Sequence, residues 1–540
     1  MKLIKGAKGV AVIGCPSPGF TLEKPLLHSN KVPEWEPGFE PERLCMDDML
    51  DVYCGEFGSW QLRHFVLTSL AWALEALHTM VMIFADREPD WRCVKGSGSG
   101  CDDKVTSVCG LEPGSWEWEG GPESSTVAQW GLVCGEKYKV GLVQALFFAG
   151  CTIGAGVFGR LSDSELGRTG SLKAVCILNA IFGCLTSLAP DYITYLLLRF
   201  LTGFSTGGVG LCSFMLATEP VGPTKRGAAG MFTFCFFSTG IALLSGIAYV
   251  FPTWRDLYVA SSVPSILFLV LVIPFISESP RWYLVRGEMN EAMKIMQEIA
   301  KSNGNNLPEG VILALDEEVN NAPNDYQSCS QEEPAGSMVD ITRSPAIRIQ
   351  LFLSVAINFT CSVVYYGISL NVVNLETNLH LSVLLNAVAE MLAFTITTVL
   401  LDRFGRKPLA IGTQWFSAIF CLMGCFVGNV GIWKVVKLCC GALGIFGMAG
   451  TYNMLFIYTA ELFPAVLRNT ALGSATQAAQ MGAILAPLVV VLGRALPFLV
   501  FGICGLVGGL FAFYLPETMN KTSYDTMGGI EQEKADWRIT

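Results

Sequence analysis

Three ionisable residues stand inside long apolar runs: Glu75, Arg199 and Glu390. A charge in hydrocarbon costs several kcal/mol even by the lower estimates, so each is a functional candidate by default. A buried carboxylate can pair with a neighbour, carry a proton or hold a cationic group. For Glu75 the favoured reading is a local pair with His78, three residues on, with a proton role as the alternative. Glu390 lies twelve residues before Asp402, which puts it near the middle of its run. A structural pair and a contact to a cationic head group are equally open to it. Two adjacent tyrosines, Tyr365 and Tyr366, could hold a quaternary ammonium through their ring faces. Gln144, Asn453 and Gln480 place neutral amides deep in three other runs. These seven residues without Arg199 are the substrate-binding candidates.

A second set of charges repeats along the chain. Asp163 and Asp402 are 239 residues apart, and each ends an apolar run. Glu219 and Arg226 sit seven apart, as do Glu461 and Arg468, at an offset of 242. Gly203, Gly207, Gly208 and Gly210 precede the first pair; Gly441, Gly444, Gly447 and Gly450 precede the second. Arg168, Arg403 and Arg406 complete the set of gating candidates. A carboxylate at a helix end can accept hydrogen bonds from a helix N-terminus or an arginine, and so latch one side shut. The competing reading is that the cations only set topology.

The elements that position these residues follow from composition. Of 540 residues, 51% are apolar and 15% charged, where a soluble domain carries about 25% charge. Mean hydropathy is +0.46. A bilayer-spanning helix needs about 20 mostly apolar residues. Twelve segments qualify, near 64–85, 139–160, 171–190, 192–217, 228–251, 256–276, 348–371, 378–401, 408–428, 435–457, 469–492 and 495–515. The predicted class is an all-α membrane protein of two pseudo-symmetric six-helix bundles, the arrangement of a carrier that rocks one half against the other. This excludes a soluble enzyme, and a net charge of −10 offers no surface for nucleic acid. No nucleotide-binding loop or metal motif occurs, so neither a cofactor nor an enzymatic activity is expected.

Lys and Arg in short loops number nine on one side and four on the other, which makes the first side cytoplasmic. The expected units are a cytoplasmic tail, 1–62; a first bundle, 63–276, holding an extracellular Cys-rich loop, 86–138; a cytoplasmic linker, 277–346, with an amphipathic helix near Met289–Lys301; a second bundle, 347–515; and a cytoplasmic tail, 516–540. No cleavable signal peptide is convincing, because Pro16 stops the only early apolar patch. Cys93, Cys101, Cys109 and Cys134 share the hydrophilic loop, where two disulfides in any of three connectivities are expected. Irregular spacing and the lack of a loop histidine disfavour zinc.

The loop Leu401-Asp402-Arg403-Phe404-Gly405-Arg406-Lys407 resembles the D-R-x-G-R-[KR] loop of the major facilitator superfamily. The first-half copy, Gly159 to Arg168, carries one inserted residue and lacks the Arg after Asp. Ser277-Glu278-Ser279-Pro280-Arg281, Leu515-Pro516-Glu517-Thr518 and Tyr458-Thr459-Ala460-Glu461-Leu462-Phe463-Pro464 are similar to motifs of its organic-ion transporter family. The Ser162–Arg168 variant is most like the plant organic cation/carnitine branch. The resemblance implies a carrier of small organic cations or zwitterions, carnitine-, choline- or polyamine-like, working by alternating access as a monomer in the plasma or vacuolar membrane. A coupling ion, H+ or Na+, is left open. It also implies that Glu390, Tyr365 and Tyr366 face a central cavity, and that Arg199 serves helix packing or gating rather than substrate contact. Cation-dedicated members have acids where this chain has Asn453 and Gln480, which leaves room for zwitterions. A sugar- or phosphate-type facilitator would share the loops but not need the Cys-rich cap. A non-transporting sensor would not need the gate charges.

Overall fold

The computed structural model describes residues 42–94, 108–112, 114–308, 310–314, 345–375, 377–428, 431–463, 465–493 and 495–519. Cys101 lies outside them, as do the side chain of Asp402 and the parts of the tails and linker beyond these bounds.

Twelve long helices dominate the described residues: α1 (Ser59–Met80, continued by a turn at Met82–Ala85), α2 (Tyr138–Asp163), α3 (Gly167–Ser187), α4 (Tyr192–Thr218), α5 (Pro223–Val250), α6 (Trp254–Leu271), α7 (Pro345–Leu370), α8 (Leu379–Phe404), α9 (Arg406–Phe426), α10 (Ile432–Leu462), α11 (Ala465–Val490) and α12 (Leu496–Tyr514). Eleven are long and apolar enough to cross a membrane, and α11 has 26 residues. Helices are the expected solution, because hydrocarbon cannot hydrogen-bond exposed backbone. Several ends carry sequence-encoded caps. Asp191 accepts from the Thr194 N–H at 3.0 Å and Asn378 from that of Leu381 at 3.2 Å.

The helices form two six-helix bundles. In the first, α4 packs on α1, α2 and α3, α1 packs on α5, and α3 on α6. In the second, α10 packs on α7, α8 and α9, α7 on α11, and α9 on α12. The halves meet along α5–α8 and α2–α11. Small residues permit a close crossing of α2 with α4. A Cβ on Gly154 would lie 1.8 Å from the Phe204 carbonyl oxygen, and one on Gly207 would lie 2.1 Å from that of Cys151.

Among the described residues, four short strands, β1 (Glu42–Leu44), β2 (Trp91–Cys93), β3 (Trp116–Trp118) and β4 (Val311–Leu313), make two small sheets. β2 and β3 pair antiparallel in the Cys-rich loop, with Arg92 on Glu117 at 2.7 Å. Cys109 and Cys134 form a disulfide, and Cys93 is also disulfide-bonded. This cap seats on the first bundle. Asp86 accepts from Thr126 of the cap at 2.7 Å and from Tyr195 of α4 at 2.6 Å; Trp254 of α6 donates to Gln129 of the cap at 2.8 Å.

At the opposite end, β1 and β4 pair in parallel. They join the segment before α1 to the linker around a core that includes Met49, Leu50, Met296, Ile299 and Leu313. The helix Met289–Ser302 supplies one wall. Asp47 ties this unit to the first bundle through Arg226 at 2.7 Å, and holds Arg281 of the linker at 3.3 Å. The Cys-rich cap and the linker unit thus mark the two ends of the molecule, the cap face and the linker face.

Candidate functional site: a cavity between the bundles

A cavity of about 1570 Å³ lies between the halves and runs from mid-bundle to the linker face. Its deep end is lined by Trp72, Glu75 and Thr79 of α1, Phe148 of α2, Tyr365 and Tyr366 of α7, and Tyr452 and Asn453 of α10. At the linker face it is lined by Arg226, Arg406, Glu461, Arg468 and Glu517. On the cap face the halves close over it. There Ser245 of α5 donates to the His380 carbonyl of α8 at 2.8 Å, and the His380 ring stacks on Phe84 at 5.1 Å.

The spacing Trp72, Glu75, Thr79 is one face of a helix, so α1 presents a single stripe to the cavity. Glu75 is only partly exposed, and its Oε2 has no hydrogen-bond partner. Gly210 of α4 makes room for it, since a Cβ there would lie 2.1 Å from that oxygen. The expected pair with His78 does not form. His78 points to the other side of α1, where its Nε2 meets Ser265 Oγ at 3.5 Å. Side chains three apart share a helix face only approximately, and here the two fall on opposite sides of the cavity edge.

Around Glu75 stands an aromatic cage. Tyr365 stacks on Tyr452 at 4.7 Å and 17°, Tyr366 meets Phe148 edge-on at 4.8 Å, and Trp72 meets Phe234 at 4.9 Å. Glu390 is buried and is not among the lining residues. Its Oε2 accepts from Ser238 of α5 at 2.9 Å and from the Tyr365 hydroxyl at 3.3 Å. Glu390 thus ties the two halves together and orients one wall of the cage. Asn453 and Gln480 line the cavity, and the Asn453 amide donates across the halves to the Met231 carbonyl at 3.3 Å. Gln144 is buried beside Asp86, outside the cavity. Arg199 is fully buried in the first bundle, where it donates to the His78 carbonyl at 3.1 Å and lies over the Phe147 ring at 4.3 Å.

The loop charges form two matching clusters. Arg168 binds Asp163 and, at 3.2 Å, Glu219. Arg406 binds Glu461 through both Nε and Nη2 at 2.9 Å. The seven-residue pairs read from the sequence are not the contacts made: Arg226 binds Asp47, and Arg468 lines the cavity. Arg403 is exposed. Among the described residues no ion pair crosses between the halves.

Two acids absent from the candidate set complete the clusters. Glu278 accepts from the backbone N–H groups of Arg168 at 3.1 Å and Thr169 at 3.0 Å. Glu517 does the same for Arg406 at 2.9 Å and Lys407 at 3.0 Å. Each carboxylate thereby occupies a helix N-terminus, where orphan donors and the helix dipole favour negative charge. Burial pushes the Glu278 carboxyl up despite those bonds. Glu517 is also desolvated, but four backbone donors hold its carboxyl below the ordinary range. Their separation of 239 residues, equal to that of Asp163 and Asp402, was the available signal. Tyr452 and Trp72 were also missed. Nothing distinguished them from packing aromatics except their adjacency to Asn453 and their one-turn spacing from Glu75.

Residues 59–527 match the family model described as "Sugar (and other) transporter". The chain is 65% identical over 519 residues to organic cation/carnitine transporter 4 of Arabidopsis thaliana, covering 96% of this chain and 97% of that one. It is 34% identical to organic cation/carnitine transporter 2 of the same plant, over 91% and 94% of the two chains. The organic cation transporter protein of Drosophila melanogaster is 32% identical over 89% and 93%. Among solved structures, the inward-open xylose transporter XylE of E. coli superposes with a TM-score of 0.61 at 18% identity, covering 86% of this chain and 98% of that one. That likeness establishes the shared fold. Two matched bundles, a cavity between them and the sequence relationships together make this chain a member of the sugar and other transporter family, in the group that includes the plant organic cation/carnitine transporters.

Proposed function

We propose that the protein carries small organic cations or zwitterions, carnitine-, choline- or polyamine-like, by alternating access. One observation carries the reading: a single carboxylate, Glu75, stands in an aromatic cage at the deep end of a cavity open to one face. A quaternary ammonium cannot donate a strong hydrogen bond. It is recognised by ring faces and a nearby negative charge, and a desolvated cation–π contact contributes about 2 kcal/mol. Trp72, Phe148, Tyr366 and Tyr452 supply the rings. Asn453 and Gln480 supply amides for the polar end of a zwitterion, with Glu390 acting from behind the cavity wall through Tyr365. The two arginine clusters at the linker face pin each bundle's helix ends so that the halves move as rigid bodies. The linker face is the cytoplasmic one, as the excess of Lys and Arg in its loops supports. A single chain encloses the cavity, which supports action as a monomer. The membrane is the plasma or vacuolar membrane.

The amides would also suit a sugar, but a neutral ligand leaves Glu75 without a counter-charge. Equilibrium binding of tetraethylammonium, choline, L-carnitine and D-xylose to the purified chain separates these readings. At least one of the first three should bind, and Glu75→Gln should weaken it about tenfold or more. Binding of xylose alone, or of none of the four, would overturn the proposal.

A further inference from the structure

We infer that the Trp72 indole N–H is a specificity-determining donor, which bonds to an oxygen carried two carbons from the quaternary nitrogen of the substrate. The favoured substrates are then oxygen-bearing quaternary ammonium compounds of the choline and carnitine kind, ahead of plain tetraalkylammonium ions and polyamines. This rests on the cation reading above and narrows its substrate class.

Two polar atoms at the deep end of the cavity lack partners. Glu75 Oε2 is an acceptor; Trp72 Nε1, one turn earlier on the same stripe of α1, is a donor. They do not bond to one another. Native proteins pair nearly all their buried donors, so an orphaned N–H calls for an explanation, and beside a cavity a ligand supplies one. The rings packed on the indole offer no acceptor: Phe234 of α5 lies 4.9 Å away and Phe237 6.4 Å. Nearby donors are already engaged. The Tyr365 hydroxyl and Ser238 donate to Glu390, and the Asn453 amide donates to the Met231 carbonyl. Phe234 in turn meets Tyr452 at 6.4 Å, so a single ring separates the indole from the tyrosine wall of the cage.

Spacing then selects the ligand. Residues three apart on a helix have Cβ atoms about 5–6 Å apart, a gap that a two-carbon bridge suits. A ligand whose ammonium rests against Glu75 and the ring faces brings an oxygen on its second carbon within reach of Trp72. Choline has its hydroxyl there. So has carnitine, whose carboxylate is left for the amides of Asn453 and Gln480. Tetraethylammonium has no acceptor and leaves the N–H orphaned. A polyamine brings further cationic donors where an acceptor is required. Water reaches neither orphaned atom in the open cavity, so both contacts form as the cage closes around its occupant. A dry donor discriminates against a ligand that cannot satisfy it, because the N–H then stays unpaired.

The test compares choline with n-propyltrimethylammonium, in which a methyl replaces the hydroxyl, by calorimetric binding to the purified full-length protein. A site without a donor should prefer the propyl compound, since burying a methyl is favourable and drying a hydroxyl is costly. With Trp72 as donor, choline should bind about tenfold more tightly. Choline methyl ether, which accepts but cannot donate, should keep most of that advantage over n-butyltrimethylammonium. Trp72→Phe retains a ring face and removes the N–H. It should weaken both ligands of the first pair, and the ratio between them should fall to about one or invert. A wild type that prefers the propyl compound, an advantage lost in the methyl ether, or a tenfold preference that survives in Trp72→Phe would each overturn the inference and leave the cation site standing. A wild type that binds none of the four ligands would overturn the cation reading as well.

Discussion

Glu278 caps α3 in the way that Glu517 caps α9. Each carboxylate takes two successive backbone N–H groups at the helix start, behind a glycine in the left-handed region, Gly167 at φ +76° and Gly405 at φ +85°. A side chain at either glycine would strain the turn and meet the carboxylate, since a Cβ would lie 2.6 Å from Glu278 Oε2 and 2.8 Å from Glu517 Oε2. The acid arrives from after the sixth helix of its half, so each cap closes the ring of its bundle.

The two caps should respond oppositely to pH. Glu517 is held below the ordinary value of 4.5, so its stabilisation is present above that value and is lost as pH falls through the folded value. Glu278 is raised above 4.5, so the folded state keeps its proton longer, and stability falls as pH rises through that window. Thermal melts of Glu517→Gln should therefore lack the gain that the wild type shows on leaving strong acid. Glu278→Gln should lack the loss seen just above 4.5. At pH 7, removing Glu517 should cost about 1.5–3 kcal/mol, the range for hydrogen bonds to charged groups.

The cage should be read by aromatic substitutions. Tyr452→Ala removes the partner stacked on Tyr365 at 4.7 Å and should weaken tetraethylammonium binding by about ten- to thirtyfold. Tyr452→Phe keeps the ring face and should stay within about threefold of wild type. A larger loss in Tyr452→Phe would mean that the hydroxyl, not the ring, holds the ligand.

Closure on the cap face must be reversible if the carrier alternates. Ser245 and His380 touch across the halves there. The double substitution Ser245→Cys with His380→Cys should form a cross-link under oxidation that stops uptake, and reductant should restore it. Uptake that continues with the cross-link in place would show that this seam does not open.

The α2–α4 crossing should tolerate no enlargement at Gly154. Its Cβ position lies 1.8 Å from the Phe204 carbonyl oxygen, whereas that of Gly156 meets open space. Gly154→Val should cost more than about 3 kcal/mol, above the usual overpacking range, because backbone rather than side chain must move. Gly156→Ala should melt like the wild type.

Hydropathy is additive along a chain, so the twelve spans and the division into halves were legible in residue order alone. The repeated acids and glycines could likewise be paired by counting, because a duplicated bundle keeps its spacing. Partners were not legible: Glu219 and Glu461 each reach an arginine at the start of another helix, Arg168 and Arg406, rather than the one seven residues on. The small sheet of β1 and β4 was equally hidden, since it joins three-residue strands more than 260 residues apart. The site shows the same limit. Sequence placed Glu75 and Glu390 within helices, and helical periodicity says which residues share their face. Only the packing of α8 against α5 and α10 turns Glu390 towards Ser238 and Tyr365. Only the approach of α4 at Gly210 leaves Glu75 facing the cavity. An apolar helix looks much the same to lipid as to a neighbouring helix, so its rotation is decided by close packing of small residues, which exists only once the bundle has formed.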